Sequence, residues 1–313
     1  MNIRKAHTTD IPAIVDLLKS SLGESLLKKT SAIWHFKHED NPFGASYVLV
    51  AEENGQFIGV RAFMSWKWQL GDKVWQAYRA VDTATHPEHQ GRGIFKQLTL
   101  QALEEVGEHK DCFIFNTPNE KSRPGYLKMG WEAIGKIKLA LVPALLYRMG
   151  YVFSSSSHYP IELSDTDLDA LCTAHNERLS EKGGLFTPKS AAYLKWRYPI
   201  NPMQSYTVVT GKNWYVALYV KKHRYFSELR LAEVIGANDA KARKEIRRVV
   251  SRFAAQNGCL LMSTTEKELF RFSFYGAFGP ILTCRDLTEQ HIIVQQAQKE
   301  GGWQYAMGDL ELF

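Results

Sequence analysis

Cysteine is scarce in this chain of 313 residues: it has four, Cys112, Cys172, Cys259 and Cys284. They lie too far apart for a Cys-x-x-Cys metal site or a disulfide-dense framework. Long apolar runs are missing too. The greasiest stretch, Leu139 to Phe153, is interrupted by Pro143 and Arg148 and falls short of the roughly 20 residues that span a bilayer. The opening MNIRKAHTTD has no apolar signal core. These absences predict a cytoplasmic protein without a membrane span. A basic tail is also lacking, and the net charge of +6 is spread evenly over the two halves. Such a mild excess suits a small anionic ligand such as a nucleotide, whereas nucleic-acid binders concentrate their charge on one face. Neither nucleic acid nor membrane is the expected partner.

Hydrophobic residues at 45% and charged residues at 23% are ordinary for a soluble globular protein. The length exceeds what a single core usually supports, so two domains are expected. A faint internal repeat divides the chain the same way. Asp10-Ile11-Pro12-Ala13-Ile14 is echoed by Asp167-Leu168-Asp169-Ala170-Leu171. Trp34 with Asn41-Pro42 and Ser46-Tyr47 is echoed by Trp196 with Asn201-Pro202 and Ser205-Tyr206. Arg79 to Asp82 is matched by Arg230 to Glu233, and Tyr126 with Gly130 by Tyr275 with Gly279. The shared order implies two copies of one fold, residues 1–150 and 151–313, parted near the polar stretch Ser154 to Ser157 after an apolar segment that closes the first copy.

In the first copy the pattern predicts a strand at Ile3 to Lys5 and helices at Thr9 to Leu22 and Leu26 to His38. A hairpin follows, with Tyr47 to Ala51 and Phe57 to Phe63 joined at Asn54-Gly55. Then come a strand from Val74 to Thr85, a helix from about Arg92 to Glu108 and a short buried strand at Cys112 to Phe115. The second copy repeats the plan, with strands at Tyr206 to Thr210, Trp214 to Val220, Arg230 to Ile235 and Cys259 to Met262 and a helix from Ala240 to Gln256.

The segment AVDTATHPEHQGRGIFKQLTLQAL, residues 80–103, runs from strand through a glycine-rich turn into a helix. Backbone amides at such a turn point outward together and the helix dipole favours negative charge, so the site suits a pyrophosphate. Gly91 and Gly93 permit unusual torsions, and Arg92 can contact a phosphate oxygen. Ile94, Leu98, Ala102 and Val106 would bury one helix face. Read without the downstream residues, two glycines that simply turn a strand into a helix are an equal alternative. Downstream, however, Asn116, Asn119, Ser122 and Tyr126 precede Gly130-Trp131 in the run NTPNEKSRPGYLKMGW.

Together these residues resemble the GNAT acyltransferase superfamily. Its acetyl-CoA motif, Gln or Arg, two residues, Gly, one residue, then Gly or Ala, falls on Gln90, Gly93 and Phe95, with Phe95 standing where the family has a small residue. Its later Asn, small residue, Tyr and Gly-aromatic pair fall on Asn119, Ser122, Tyr126, Gly130 and Trp131. The likeness spans about residues 3–140. With the second copy it implies an α/β (α+β) protein of two tandem GNAT-like domains, each a mixed, mostly antiparallel twisted sheet flanked by helices. The first would bind acetyl-CoA. The second lacks the phosphate signature and would help shape the acceptor site.

The resemblance further implies transfer of an acetyl group from acetyl-CoA to a primary amine of a small molecule or peptide. Thr83, Ala84 and Thr85 would face pantetheine, Gln90, Gly91, Arg92, Gly93, Ile94 and Phe95 the phosphates, and Asn119 and Ser122 would also line the cofactor site. Tyr126 is the candidate general acid, against a packing role. Asp82 is the candidate base, against a structural role suggested by its echo in Glu233. His86, Glu88 and His89 imitate a metal set but read as ordinary turn residues, so no metal is expected. Asp309 and Glu311, in a C-terminal run expected to finish the second sheet, are candidates for amine recognition. The alternative is a silent acyl-CoA-binding or polyanion-binding protein that keeps the fold, its second-copy helix carrying Lys241, Lys244, Arg248 and Arg252.

Overall fold

A computed structural model describes residues 1–23, 28–108, 110–148 and 161–310. In chain order they form β1 (Asn2–Lys5), α1 (Ile11–Leu22), α2 (Ser31–His38), β2 (Tyr47–Glu53), β3 (Gln56–Leu70), β4 (Lys73–Thr85), α3 (Ile94–Val106), β5 (Cys112–Asn116), α4 (Arg123–Lys128) and β6 (Glu132–Lys136). There follow β7 (Leu139–Pro143), α5 (Leu145–Arg148), α6 (Asp165–Glu181), α7 (Ala191–Arg197), β8 (Thr207–Gly211), β9 (Trp214–Lys222), β10 (Ser227–Ile235), α8 (Ala240–Gln256), β11 (Cys259–Thr264), β12 (Phe274–Gly276), β13 (Ile281–Asp286), α9 (Ile292–Ala297) and α10 (Met307–Leu310).

Local chemistry explains most of these elements. Helix α1 buries Ile11, Ile14, Val15, Leu17 and Leu18, the spacing of one apolar face. Thr30 caps α2 by accepting a hydrogen bond from the Ile33 amide at 3.2 Å; Leu26 and Leu27, where that helix was expected to begin, lie outside the described residues. Asn54 and Gly55 both adopt positive φ, 52° and 77°, as a two-residue hairpin turn requires. Strand β3 is longer than the sequence pattern suggests, β4 lies where expected to within one residue, and the two pair from Gly59 with Thr85 to Leu70 with Lys73.

The residues divide into two compact units, one of Met1–Gly135 and Pro280–Trp303, the other of Lys136–Gly279 and the segment from Gln304. The first holds the sheet β1-β2-β3-β4-β5-β13-β6 and the second the sheet β12-β7-β11-β10-β9-β8. The ladders β4–β5 and β10–β11 are parallel. Those of β1–β2, β2–β3, β3–β4 and β5–β13, and of β8–β9, β9–β10, β7–β11 and β7–β12, are antiparallel. Each sheet is thus mixed and mostly antiparallel, as expected.

Read as β2-β3-β4-β5-β13-β6 and β8-β9-β10-β11-β7-β12, the two sheets follow one plan with one strand exchanged. The apolar segment expected to close the first copy supplies β7 to the second sheet, while β13 closes the first. β5 is buried along its whole length and so needs ladder partners on both edges; β4 and β13 provide them. The boundary expected at Ser154 to Ser157 lies outside the described residues.

Two further expectations are corrected. The C-terminal run, as far as Leu310, forms the short helix α10 rather than a strand. Tyr275 lies on the edge strand β12, 47% exposed, whereas Tyr126 is buried in α4, so the two tyrosines are not structural counterparts.

Candidate active site

The first sheet opens where the sequence motif places the chemistry. β4 pairs with β5 only from Gln76 with Cys112 to Arg79 with Phe115, and from Ala80 to Thr85 it is paired with β3 alone. At the opening the β3–β4 register shifts, so that Asp82 and Thr83 stand opposite the single residue Arg61. This is a β-bulge, which bends the strand and re-aims its side chains. Asp82 takes φ 39°, an uncommon torsion for a residue with a Cβ. Thr83 and Thr85 are half-buried and Ala84 is buried.

The turn after β4 is built to leave the start of α3 open. Gly91 and Gly93 have φ of 79° and 76°, in the left-handed region that favours glycine. Gly93 is the N-cap and supplies no side-chain acceptor, so the first amides of α3 have neither an intrahelical partner nor a side-chain cap. A Cβ placed on Gly91 would meet nothing within 4 Å, which leaves room beside the turn for an anion. Ile94, Leu98 and Ala102 are buried and Val106 is packed against them. Gly59 on β3 makes this docking possible, since a Cβ there would come within 2.6 Å of Ile94 and 2.9 Å of Leu98.

Arg92 is engaged sideways. Its two terminal nitrogens donate to the two carboxylate oxygens of Glu53, each at 2.8 Å, and Nη1 lies 2.6 Å from His89 Nδ1. The hydrogen bonds from Arg92 pull the Glu53 carboxyl down to about 2. Gln90 is extended at the head of the turn. Phe95 packs edge-on against Tyr126 at 5.6 Å, and its ring edge lies 3.4 Å from where a Cβ on Gly125 would be, so its bulk is housed between α3 and α4.

Across the opening, Asn119 Oδ1 accepts from the amides of Lys121 and Ser122 and from the Ser122 hydroxyl at 2.9–3.1 Å, which fixes the loop into α4. Tyr126 is buried on α4 against Trp131, ring centroids 5.0 Å apart. Its hydroxyl accepts a hydrogen bond at 2.8 Å from Arg61 Nη1, and the same nitrogen donates to Thr83 Oγ1. Arg61 therefore joins the two sides of the opening. Sequence reasoning passed it over because it belongs to no motif; the one available signal was a charge inside the apolar run Phe57 to Phe63.

Asp82 lies deeper. Its Oδ2 accepts from Lys37 Nζ and, at 2.9 Å, from His38 Nε2, while His38 Nδ1 meets Ser46 Oγ at 2.8 Å. Lys37 and His38 are 4% and 2% exposed. Burial works against the Asp82 anion, yet the Lys37 charge and the His38 hydrogen bond hold its carboxyl well below the usual range. Burial lowers both Lys37 and His38 from their ordinary values. A small cavity between α1 and α2, walled by Val15, Leu18, Ile33 and Trp34, ends on Lys37 and Asp82.

His86, Glu88 and His89 bring one ligand atom each within 4.8 Å of the others. The His86 ring accepts from the Glu88 amide at 3.3 Å, and His89 is tied to Arg92, whose positive charge disfavours a cation there.

The second unit places acids at the equivalent points. Glu233 stands on the β10 bulge and accepts from Tyr198 at 3.1 Å and Lys189 at 2.8 Å. Lys189 also donates to Asp309 at 2.6 Å, and so does Tyr193 at 2.9 Å. Asp309, a candidate for amine recognition, is thus 1% exposed and fully engaged in the core of its own unit; Glu311 lies outside the described residues. The start of α8 is closed by Asp239, whose carboxylate accepts from the Ala242 amide at 2.7 Å. Of its basic residues, Arg243 and Arg247 bind the backbone carbonyls of Ala237, Asn238 and Leu269.

Residues 2–134 match the family model of the acetyltransferase (GNAT) domain. This first part of the chain is thus similar to the GNAT domain of N-acetyltransferases, and the fold of the two sheets is GNAT-like. Among curated proteins the chain is 30% identical over 122 residues to the L-amino acid N-acyltransferase MnaT of Escherichia coli, a match that covers 36% of this chain and 64% of that one. The chain thus spans just under two thirds of that relative's length. The fold as a whole is similar to that of a probable N-acyltransferase from Enterococcus faecalis, TM-score 0.68 at 10% identity over 93% of this chain and 74% of the other. It is similar also to a GCN5-related N-acetyltransferase from Anabaena variabilis, TM-score 0.66 at 15% identity over 95% and 75%. No helix among the described residues is long and apolar enough to cross a membrane.

Proposed function

We propose that the protein is an acetyl-CoA-dependent N-acyltransferase whose first unit carries the reaction, moving an acetyl group to a primary amine. The observation that carries this reading is the opening between β4 and β5, flanked by the uncapped start of α3 and the hydroxyl of Tyr126. The amides after Gly91 and Gly93 would take the pyrophosphate, and the Thr83 to Thr85 strand edge, free of β5, would receive the pantetheine arm and the thioester. Gln90, Ile94, Phe95, Asn119 and Ser122 shape the two helix starts around it.

Transfer to an amine needs a neutral nucleophile, support for the developing oxyanion and a proton for the departing thiolate. Tyr126 fits the last task. Asp82 is a weaker proton acceptor than its position suggests, because two donors already hold its anion. Its proposed part is to fix the charge beside the cavity between α1 and α2, with the amine proton passed on through water. The amino acid acceptors of the Escherichia coli relative make small α-amines the first to screen.

Calorimetric titration with acetyl-CoA, followed by CoA-release assays over amine acceptors, tests the proposal. Binding with release is the expected result, and Tyr126→Phe should lower turnover by about 10²-fold or more while leaving acetyl-CoA affinity within about twofold. Binding without release to any acceptor would favour the silent acyl-CoA-binding alternative.

A further inference from the structure

Arg61 is fully buried, 0% exposed. Nη1 serves Tyr126 and Thr83, while Nε and Nη2 have no hydrogen-bond partner among the described residues. No carboxylate pairs with it there. Its guanidinium lies instead against aromatic faces, 4.7 Å from the centroid of Phe63, 5.3 Å from Tyr126 and 5.7 Å from Phe95. An arginine stays protonated at any accessible pH, so this is a permanent charge taken out of water without a counter-ion. Such an arrangement is costly, and buried polar groups are otherwise nearly always paired. Two other buried cations, Lys37 in the same unit and Lys189 in the second, are each given a carboxylate.

We propose that Arg61 is the positioning residue of the proton donor, supplying the positive charge that makes Tyr126 an acid for the departing thiolate. The inference rests on the acetyl-transfer reading of this site. The geometry fixes a direction. Because the Tyr126 oxygen accepts from Arg61, its own hydrogen is left to donate elsewhere. In the transfer step the amine nitrogen bonds to the thioester carbon, the carbon–sulfur bond breaks, and the sulfur takes the Tyr126 proton. The phenolate formed is neutralised by the guanidinium beside it. It is restored by the proton that the amine nitrogen sheds, so the enzyme returns unchanged. A carboxylate paired with Arg61 would cancel this assistance, which accounts for a buried cation kept without one.

A double-mutant cycle on the full chain tests the assignment, with CoA release and acetyl-CoA affinity measured separately. Arg61→Met should lower kcat by about tenfold or more with affinity within about twofold of wild type, and in the Tyr126→Phe background the same change should cost less than about twofold. Arg61→Lys keeps the charge and should recover most of the loss; it also carries the test if Arg61→Met does not fold, which thermal melting reports. Equal losses in the two backgrounds, or a loss confined to affinity or melting temperature, would overturn the role and leave acetyl transfer standing. A wild type that binds acetyl-CoA yet releases no CoA would overturn both.

Discussion

The two units place an acid on the same bulge of the same strand and treat it differently. In the first, His38 and Lys37 meet Asp82 beside a cavity, and the neighbouring helix begins at an uncapped glycine. In the second, Tyr198 and Lys189 meet Glu233, Asp309 joins from α10, and the neighbouring helix is capped by its own Asp239. His38 and Tyr198 each stand three residues before an asparagine, Asn41 or Asn201, whose Oδ1 accepts the amide two residues on. Loop, bulge and helix start are therefore retained in both units. What separates them is where their carboxylates stand: the second has one at both positions, and the first has one at the bulge and none capping the helix start.

The largest test of this contrast is stability. Asp82→Asn leaves Lys37 buried without its carboxylate and should cost about 3–5 kcal/mol in urea unfolding. Asp309→Asn should cost about 1–3 kcal/mol, because Lys189 keeps Glu233. Equal costs would mean that the two clusters are held alike. The pH response follows in sign. Asp82 is held below its unfolded value of about 3.9, so its contribution is complete above that value and is lost as pH falls through the folded one. Burial holds Glu233 above its ordinary value instead, so its contribution declines as pH rises from about 4.3. Asp82→Asn should therefore flatten the acid side of the stability curve.

Ligand binding sharpens the contrast next. Gly93→Glu puts a side chain with an anion on a left-handed position at the phosphate turn and should weaken acetyl-CoA binding by about 100-fold or more, with one site lost per chain on calorimetry. Asp239→Ala uncaps α8 and should cost about 1 kcal/mol of stability without creating a second site. Two sites in the wild type would show that a self-capped helix start does not exclude the ligand.

How much of this was legible beforehand follows from which interactions are local. Asn54-Gly55, the apolar stripe of α3 and the glycines of the turn into α3 act within a few residues, so their spacing shows them as structure. The repeat even placed Asp82 and Glu233 on equivalent strands. The exchange of β7 and β13 was not visible, because each strand is equally apolar in either sheet and only the partners of β5 and β11 decide between them. Arg61 and the donors to Asp82 were hidden for the same reason: Arg61 meets Tyr126 across 65 residues and His38 meets Asp82 across 44. Tyr275 misled because it matched Tyr126 in order along the chain while lying on an edge strand.

The smallest expected effect concerns Arg92, the residue that the motif offers to the phosphates and Glu53 holds aside. The pair is exposed, and exposed pairs are weak and screened by salt. A phosphate arriving at the turn competes with Glu53 for one guanidinium, so removing the competitor should help the ligand. Glu53→Gln is therefore expected to tighten acetyl-CoA binding by about two- to fivefold at low salt, with the gain shrinking as salt is raised. The same gain should appear in the wild type only as pH falls toward the Glu53 value of about 2, where the contribution of Asp82 to stability is already declining; the substitution is thus the practical form of the measurement. A weakening instead would mean that Glu53 positions Arg92 for the phosphate, and the carboxylate would then count as part of the site.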